Sequence, residues 1–421
     1  MNMERTYIKD VNKGKVLVKG WVHDYRDLGK IRFLVLRDLT GLIQITATAD
    51  EPVFNSMKHN KEDVISVEGE VQRNEKAPNG LEIFPEKIEL LGKAQYPLPI
   101  DTSDFSKTEL PKRLDYRFLD LHNRKRQAIF KIQSEIAGLF REYFRKSGFI
   151  EMQPPSIISS ASEGGTELFP TQYFEKKAFL AQSPQLYKQM VACSMEKTFT
   201  LTPVWRAEKH NTIRHLNEAR QMDIEMAFAD QFAVMKELEN VVKYIVKGLI
   251  KNNKEDLAYL KLELEVPKSK YLSYDETIKL LQKNKIQIID GEDLSPEAEK
   301  KLGELYPNTI VFVHSWPLNI KPFYIMPLDN SRSAGFDAIF NGLEISSGGQ
   351  RIHIPELLTE RIKAKGLDPE NFKSYIDSFR YGSPEHAGWS IGLERFTMTL
   401  LHLDNIREAC LFPRDRDRLT P

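Results

Sequence analysis

The sequence predicts an α+β protein: a small barrel of short strands, then a larger domain in which strand pairs alternate with amphipathic helices. Three observations carry this. Residues 14 to about 92 hold five β-rich stretches. Segments 126–147 and 230–252 repeat apolar residues at steps of three and four. Two alternating stretches, Thr198–Val204 and Met222–Phe228, bracket a cationic loop.

The five stretches are KVLVKGWVH, IRFLVLRD, LIQITAT, VISVEGEVQ and LEIFPEKIEL. Turn signals stand between them at Asp27-Leu28-Gly29, Leu39-Thr40-Gly41 and Ala77-Pro78-Asn79-Gly80. Five strands in roughly 80 residues fit a closed barrel of the OB type, and on spacing alone any small β-domain equally. Such barrels stack single-stranded bases on aromatics and read their edges. Trp21, His23, Phe33 and Gln44 are suitable groups, although Phe33 lies in an apolar strand and would serve a core as well.

A proline-bearing linker, YPLPIDTSD, precedes the basic stretch PKRLDYRFLDLHNRKRQ, which reads as a solvated hinge or as a phosphate contact. A helix is expected over Arg126–Ser147, stopped by Gly148. SEGGTELF (Ser162–Phe169) is a glycine-rich loop with two carboxylates. Residues 254 to about 308 look like an insertion, with helices at Tyr274–Lys285 and Ser295–Tyr306 and no catalytic signal.

Lys+Arg and Asp+Glu both number 60, so any basic surface must be local. Two cysteines, Cys193 and Cys410, without CxxC exclude a disulfide framework and a cysteine zinc site. No apolar run of about 18 residues occurs, and the N-terminus lacks a signal core. A soluble, cytoplasmic protein is expected.

The chemistry-bearing residues lie in three places. The loop after Val204 carries Arg206 and Glu208 in RxE, then Lys209, His210, Arg214 and His215; a guanidinium there can fork onto phosphate oxygens. Taken alone, a surface hairpin with solvated charges explains it as well. Asp337, Glu344 and Ser347 offer hard oxygen ligands of the kind that suit Mg²⁺ with bound phosphate. Arg395, in GLER, opens an amphipathic helix near its positive end, where phosphate is favoured. Neither GxGxxG nor GxxxxGK[ST] is present, so no dinucleotide fold or P-loop is supported.

Taken together, SPQLYKQ, RAEKHNTIRHLNE, FIEMQPPSII with Pro155, GLEISSGGQRIH, GLER and LFPRDRDRLTP resemble the archaeal and eukaryotic branch of the class II aspartyl-tRNA synthetases. The resemblance covers nearly the whole chain. It implies an anticodon-binding barrel (1–104), a hinge (105–127) and a catalytic domain with an antiparallel sheet flanked by helices (128–421). It implies ATP, Mg²⁺, L-aspartate, tRNA and a homodimer. Arg206 would clamp the α-phosphate and Arg395 the γ-phosphate. Glu208 would face adenine, with His210 and Arg214 near the pyrophosphate. Mg²⁺ would sit on Asp337, Glu344 and Ser347. Aspartate would meet Glu167, Gln185 and Asp223 through its ammonium, Lys188 and Arg351 through its β-carboxylate, and Ser347 nearby. The Ser162–Phe169 loop would close over it. Relatives carry an adenine-stacking Phe where this chain has Ala219.

For the anticodon, the resemblance assigns Phe33 to stacking and Gln44 to the central uridine. Enzymes of this branch that discriminate tRNA(Asp) from tRNA(Asn) carry Trp and Lys where this chain has His23 and Pro78, so charging of both is expected. Two relatives of similar motifs are alternatives: an asparaginyl-tRNA synthetase, against which Lys188 argues, and an asparagine synthetase-like paralogue, against which the barrel argues. A catalytically dead paralogue should have lost Arg206, Glu344 or Arg395.

Overall fold

The computed structural model describes residues 3–160 and 167–421. The chain divides into two compact units, Met1–Pro99 and Ile100–Pro421.

In the first unit five strands close into a barrel: β1 (Gly14–Asp27), β2 (Ile31–Arg37), β3 (Leu42–Thr48), β4 (Val64–Arg73) and β5 (Leu81–Gly92). Their order is β1-β2-β3-β5-β4, the OB-type barrel expected from the strand spacing. Alternation does the sorting: Val16, Val18, Val22, Leu34, Leu36, Ile43 and Ile45 point inward. A Cβ on Gly20 or Gly69 would stand 2.2 Å from the carbonyl oxygen of Arg37 or Phe84, so the strands close up only where no side chain intervenes. β1 bulges at His23, because Val22 pairs with Leu36 and Asp24 with Val35.

The second unit opens with α1 (Leu110–Asp115), α2 (Arg117–Asp120) and α3 (Arg124–Lys146). The Asn123 side chain caps α3 by accepting from Lys125 and Arg126 N–H groups, and Gly148 follows its end at φ +78°. The basic residues before α3 are not a solvated hinge. Arg117 is fully buried, and its guanidinium donates to Asp120 and to the carbonyls of Leu411 and Cys410. Arg113 is buried too, 2.9 Å from Asp120. These cations are spent on tying the segment to the C-terminal tail, which leaves exposed Lys112 as a group still open to a phosphate.

Among the described residues, eight strands form a central sheet. They are β6 (Ile150–Glu151), β10 (Lys197–Trp205), β11 (Glu218–Ala227), β12 (Lys268–Ser273), β13 (Thr309–His314), β14 (Gly335–Phe340), β15 (Leu343–Gln350) and β16 (His386–Gly392). The order is β12-β13-β14-β15-β16-β11-β10-β6. The six inner strands are antiparallel, as expected; the edges, β12 on β13 and β6 on β10, are parallel. A small sheet of β7 (Ile157–Ile158), β8 (Pro170–Tyr173) and β9 (Lys176–Leu180) stands apart from it.

One face of the central sheet is apolar and carries α3 and α5 (Gln231–Asn252), whose Ile132, Phe140, Leu238, Val242 and Ile245 bury against Phe199, Met222, Ile224 and Trp389. α4 (Gln185–Met195), α9 (Pro355–Ala364) and α10 (Lys373–Ser378) share another cluster around Phe323, Ile352 and Phe372. The 254–308 segment supplies α6 (Lys254–Leu260), the edge strand β12, α7 (Tyr274–Lys283) and α8 (Pro296–Leu305). Ser295 caps α8 as its sequence suggested. Leu272, Ile278, Leu281 and Leu302 from this segment pack on Val311, Val313 and Ile339 of the sheet, so it is joined to the catalytic half by a common core. The last helix is α11 (Leu393–Leu400).

Candidate active site

Strand alternation sorts β11 into two faces. Met222 and Ile224 enter the apolar core, so Gln221, Asp223 and Glu225 must face the other way. Register then extends that polar face sideways. Asp223 pairs with Ser390, Ser390 with Ser347, and Ser347 with Asp337, one row across four strands. Glu344 would fall on the opposite face from Ser347, three residues on, but β15 bulges: Ala338 pairs with Ser346 and Ile339 with Glu344. The bulge returns Glu344 to the face of Asp337 and Ser347.

Over this face lies a cavity of about 310 Å³. Gln185, Arg206, Glu208, Arg214, Asp223, Glu344, Ser347, Arg351 and Arg395 line it, as the sequence suggested. Four expected residues do not. His210 is exposed in its loop, and His215 takes the place in the wall, 4.0 Å from Glu208. Burial holds the His215 imidazole below its ordinary pKa, with Arg395 and Arg206 acting the same way, so it is neutral at pH 7. Glu167 is exposed and paired with Lys209 at 3.0 Å; residues 162–166 of the expected closing loop lie outside the described residues. Asp337 sits behind the wall, with Lys321 Nζ 2.5 Å from its carboxylate. Lys188 is buried behind Asp223.

Lys188 belongs to a lattice of four buried charges. Its Nζ donates to Asp223 at 2.8 Å and to the Trp389 carbonyl at 3.1 Å, and stands 3.6 Å from Glu225. Arg351 donates from Nε and Nη2 to the two oxygens of Glu225 at 2.8 and 3.2 Å. Ser390 Oγ donates to Asp223 at 3.1 Å. A side chain at Gly388 would put its Cβ 2.1 Å from Glu225 Oε2, so glycine there makes the space for this carboxylate. Two cations and two anions balance, which makes the burial affordable. Glu225 went unnoticed in the sequence; its two-residue offset from Asp223 is the signal that places it here.

At the opposite end the wall is cationic. Arg206, Arg214 and Arg395 converge there, with Arg395 Nη1 donating to the Glu344 carbonyl at 3.1 Å. Burial and the neighbouring Asp337 carboxylate push the Glu344 carboxyl up to about 7. Among the described residues no three His, Cys, Asp or Glu side chains form a metal cage. The donor set nevertheless fits Mg²⁺, which takes one or two carboxylates and completes its shell with phosphate and water; a cation beside Glu344 and Asp337 would relieve the repulsion between them. Around Ala219 the wall is apolar, made by Val204, Leu216 and Ile406.

In the barrel, Phe33 is half-buried outside the core cluster, pairs with Thr46, and shares the outer face with Gln44. Gln44 Nε2 donates to Glu82 at 3.0 Å and Thr46 Oγ1 to the same oxygen at 2.7 Å, so a buried acid not singled out in the sequence orients Gln44. His23 Nδ1 lies 3.5 Å from Arg37 Nη1, whose guanidinium is paired with buried Glu62. Pro78 begins a short turn before β5.

The profile of tRNA synthetases class II (D, K and N) matches residues 109–416. The chain belongs to this synthetase family. The profile of OB-fold nucleic acid binding domains matches residues 16–91, the barrel. Full-length relatives include the aspartate–tRNA(Asp/Asn) ligase of Methanocaldococcus jannaschii, 49% identical over 97% of this chain and 95% of that protein. The aspartate–tRNA(Asp) ligase of Pyrococcus furiosus is 47% identical over 98% of each. Among solved structures, the asparaginyl-tRNA synthetase of Pyrococcus horikoshii with asparaginyl-adenylate superposes with a TM-score of 0.94 at 35% identity, covering 99% of this chain and 100% of that one. The aspartyl-tRNA synthetase of Entamoeba histolytica gives 0.89 at 33% identity, covering 100% of this chain and 93% of that one. Among the described residues of this synthetase no helix is long and apolar enough to cross a membrane.

One further acid of the synthetase lines the cavity, Glu394 in the first turn of α11, which accepts from the Arg220 N–H at 2.9 Å. Burial raises its carboxyl to about 7. Its folded-state pKa exceeds the ordinary 4.5, so the folded chain binds the extra proton and loses stability as pH rises from about 4.5 to 7. Relative to Glu394→Gln, the native chain should therefore lose up to about 3 kcal/mol between pH 5 and 8. Urea unfolding of both across that range measures it; a pH-independent difference would contradict the assignment.

Proposed function

We propose that the chain activates L-aspartate with ATP and transfers it to tRNA, and that it accepts both tRNA(Asp) and tRNA(Asn). The observation that carries the amino-acid assignment is the balanced lattice of Lys188, Asp223, Glu225 and Arg351. Of the five N–H groups of Arg351, Glu225 engages Nε and Nη2, so Nη1 is left to meet the substrate β-carboxylate. Lys188 backs this site from behind Asp223 instead of touching the substrate. Asp223 and Gln185 face the ammonium, with Glu167 available when its loop closes. The relatives named for aspartate, nearly half identical over their whole length, support the same choice.

In the first step an α-carboxylate oxygen forms a bond to the α-phosphorus and the bond to the pyrophosphate oxygen breaks. The nucleophile is already an anion, so no protein base is required; the protein positions the partners and neutralises charge. Arg206 holds the α-phosphate, Arg395 the γ-phosphate and Arg214 the pyrophosphate, while Glu208 faces the adenine amino group over the wall of Ala219, Val204, Leu216 and Ile406. Glu344, Ser347 and, behind them, Asp337 would hold Mg²⁺, which supplies positive charge to the phosphates when bound. In the second step the 3′-hydroxyl of tRNA attacks the mixed anhydride, AMP leaves and the hydroxyl proton is released. The chain would act as a homodimer in the cytoplasm, where its tRNA is used; exposed Ile150, Met195 and Phe228 at one end of the β10–β11 pair are the kind of apolar surface a second copy covers.

The tRNA assignment rests on the barrel. His23 and Pro78 stand where discriminating enzymes carry Trp and Lys, which leaves a roomier and less charged pocket for the third anticodon base. Relatives named for both tRNAs occur in Methanocaldococcus jannaschii and Archaeoglobus fulgidus, and one named for tRNA(Asp) alone in Pyrococcus furiosus.

Arg206→Ala and Arg395→Ala should each lower aspartate-dependent ATP–pyrophosphate exchange by about 10²–10³ with circular dichroism unchanged. Exchange within tenfold of wild type in either would remove these clamps from the mechanism. For the tRNA assignment, unmodified transcripts of tRNA(Asp) and tRNA(Asn) should be charged with efficiencies within about tenfold of each other. A preference above about a hundredfold, roughly 2.7 kcal/mol, would show that the barrel discriminates.

A further inference from the structure

We propose that Glu299, from the 254–308 segment, is a positioning residue that holds Arg214 at the phosphate end of the cavity and is displaced by ATP. The inference rests on the reading of Arg214 and Arg395 as phosphate-binding groups. Its starting point is the seating of α8. A Cβ on Gly303 would meet the Gly342 nitrogen at 2.3 Å, so this helix lies in direct backbone contact with the turn between β14 and β15. Glu299 is one turn upstream and so comes over the start of β15.

Three contacts then define its place. Its carboxylate faces the Glu344 N–H, which favours the charged form. Arg395 donates to the carbonyl of the same residue at 3.1 Å. Oε2 of Glu299 stands 3.7 Å from Nη1 of Arg214. The Glu299 side chain is 15% exposed and that of Arg214 34%, so the pair is sheltered on the Glu299 side. A carboxylate from the 254–308 segment thus stands beside the guanidinium that would hold the pyrophosphate, without itself lining the cavity. The rest of the Arg214 loop is fixed elsewhere: Ile406 N–H donates to the Ile213 carbonyl at 2.9 Å and Arg407 to the Thr212 carbonyl at 3.0 Å. Arg214 itself is held by Glu299. Before nucleotide binds, the carboxylate pairs with Arg214 and keeps the arginine from turning to solvent. When ATP enters, its oxygens replace the carboxylate, and the broken pair is charged against nucleotide affinity.

The test is calorimetric titration of the full-length protein with Mg·ATP in the absence of amino acid. Glu299→Gln keeps an oxygen for the Glu344 N–H and removes the charge, and should bind ATP about two- to fivefold more tightly, with kcat for pyrophosphate exchange unchanged. Glu299→Asp, one methylene shorter, should shift in the same direction. Arg214→Ala should weaken binding, and adding Glu299→Gln to it should produce no further change. Weaker or unaltered ATP binding in Glu299→Gln, or the same shift with and without Arg214, would overturn the tether. The readout does not need aspartate, so a failure of the amino-acid assignment would appear separately, as wild-type exchange that aspartate does not support.

Discussion

The buried lattice of Lys188, Asp223, Glu225 and Arg351 is the constraint on which the catalytic half depends. Three of its members are almost completely dehydrated and Glu225 is wholly so. Each charge is tolerable only because the others are present: removing one partner from such a pair costs about 3–5 kcal/mol, whereas the full set is near break-even. The lattice therefore demands exact placement. β11 must present Asp223 and Glu225 on one face, α4 must bring Lys188 to them from the side, and the chain leaving β15 must deliver Arg351. Gly388 must lack a side chain. The apolar face of the sheet, with α3 and α5 on it, holds this geometry rigid.

A division of labour along the cavity follows. One end is neutral in sum, with Arg351 held by Glu225 and still lining the cavity. The other end carries three guanidiniums beside two crowded carboxylates, an arrangement suited to a polyphosphate with a divalent cation. The bulge in β15 is what brings Glu344 to this end; without it the carboxylate would point into the core beneath the sheet.

Much of this was legible in the sequence, and the reasons differ by residue. Strand spacing gave five strands but left any small β-domain open, and the resemblance chose the barrel. Ser295 marked the start of α8 because capping is local chemistry. Arg206, Arg214, Glu344, Arg351 and Arg395 were found by motif and do line one cavity. What escaped depended on contacts distant in sequence. His210 and His215 are equally placed by pattern, and only the path of the loop decides that His215 faces inward. Lys188 was expected at the substrate, yet its distance from the cavity depends on Asp223 standing between. Arg113 and Arg117 pair with nearby Asp120, but the contacts that bury them, to Glu408 and to the Cys410 carbonyl, lie almost 300 residues away. Glu299 sits in a segment without any motif.

The most direct test of the central claim is the amino-acid dependence of ATP–pyrophosphate exchange in the wild type and in Lys188→Met. A balanced lattice that receives a carboxylate at Arg351 predicts exchange with aspartate at least about a hundredfold above that with asparagine, and a loss of most of this advantage in Lys188→Met, where Glu225 gains the whole of Arg351. Exchange supported equally by asparagine in the wild type, or an undiminished preference for aspartate without Lys188, would contradict it.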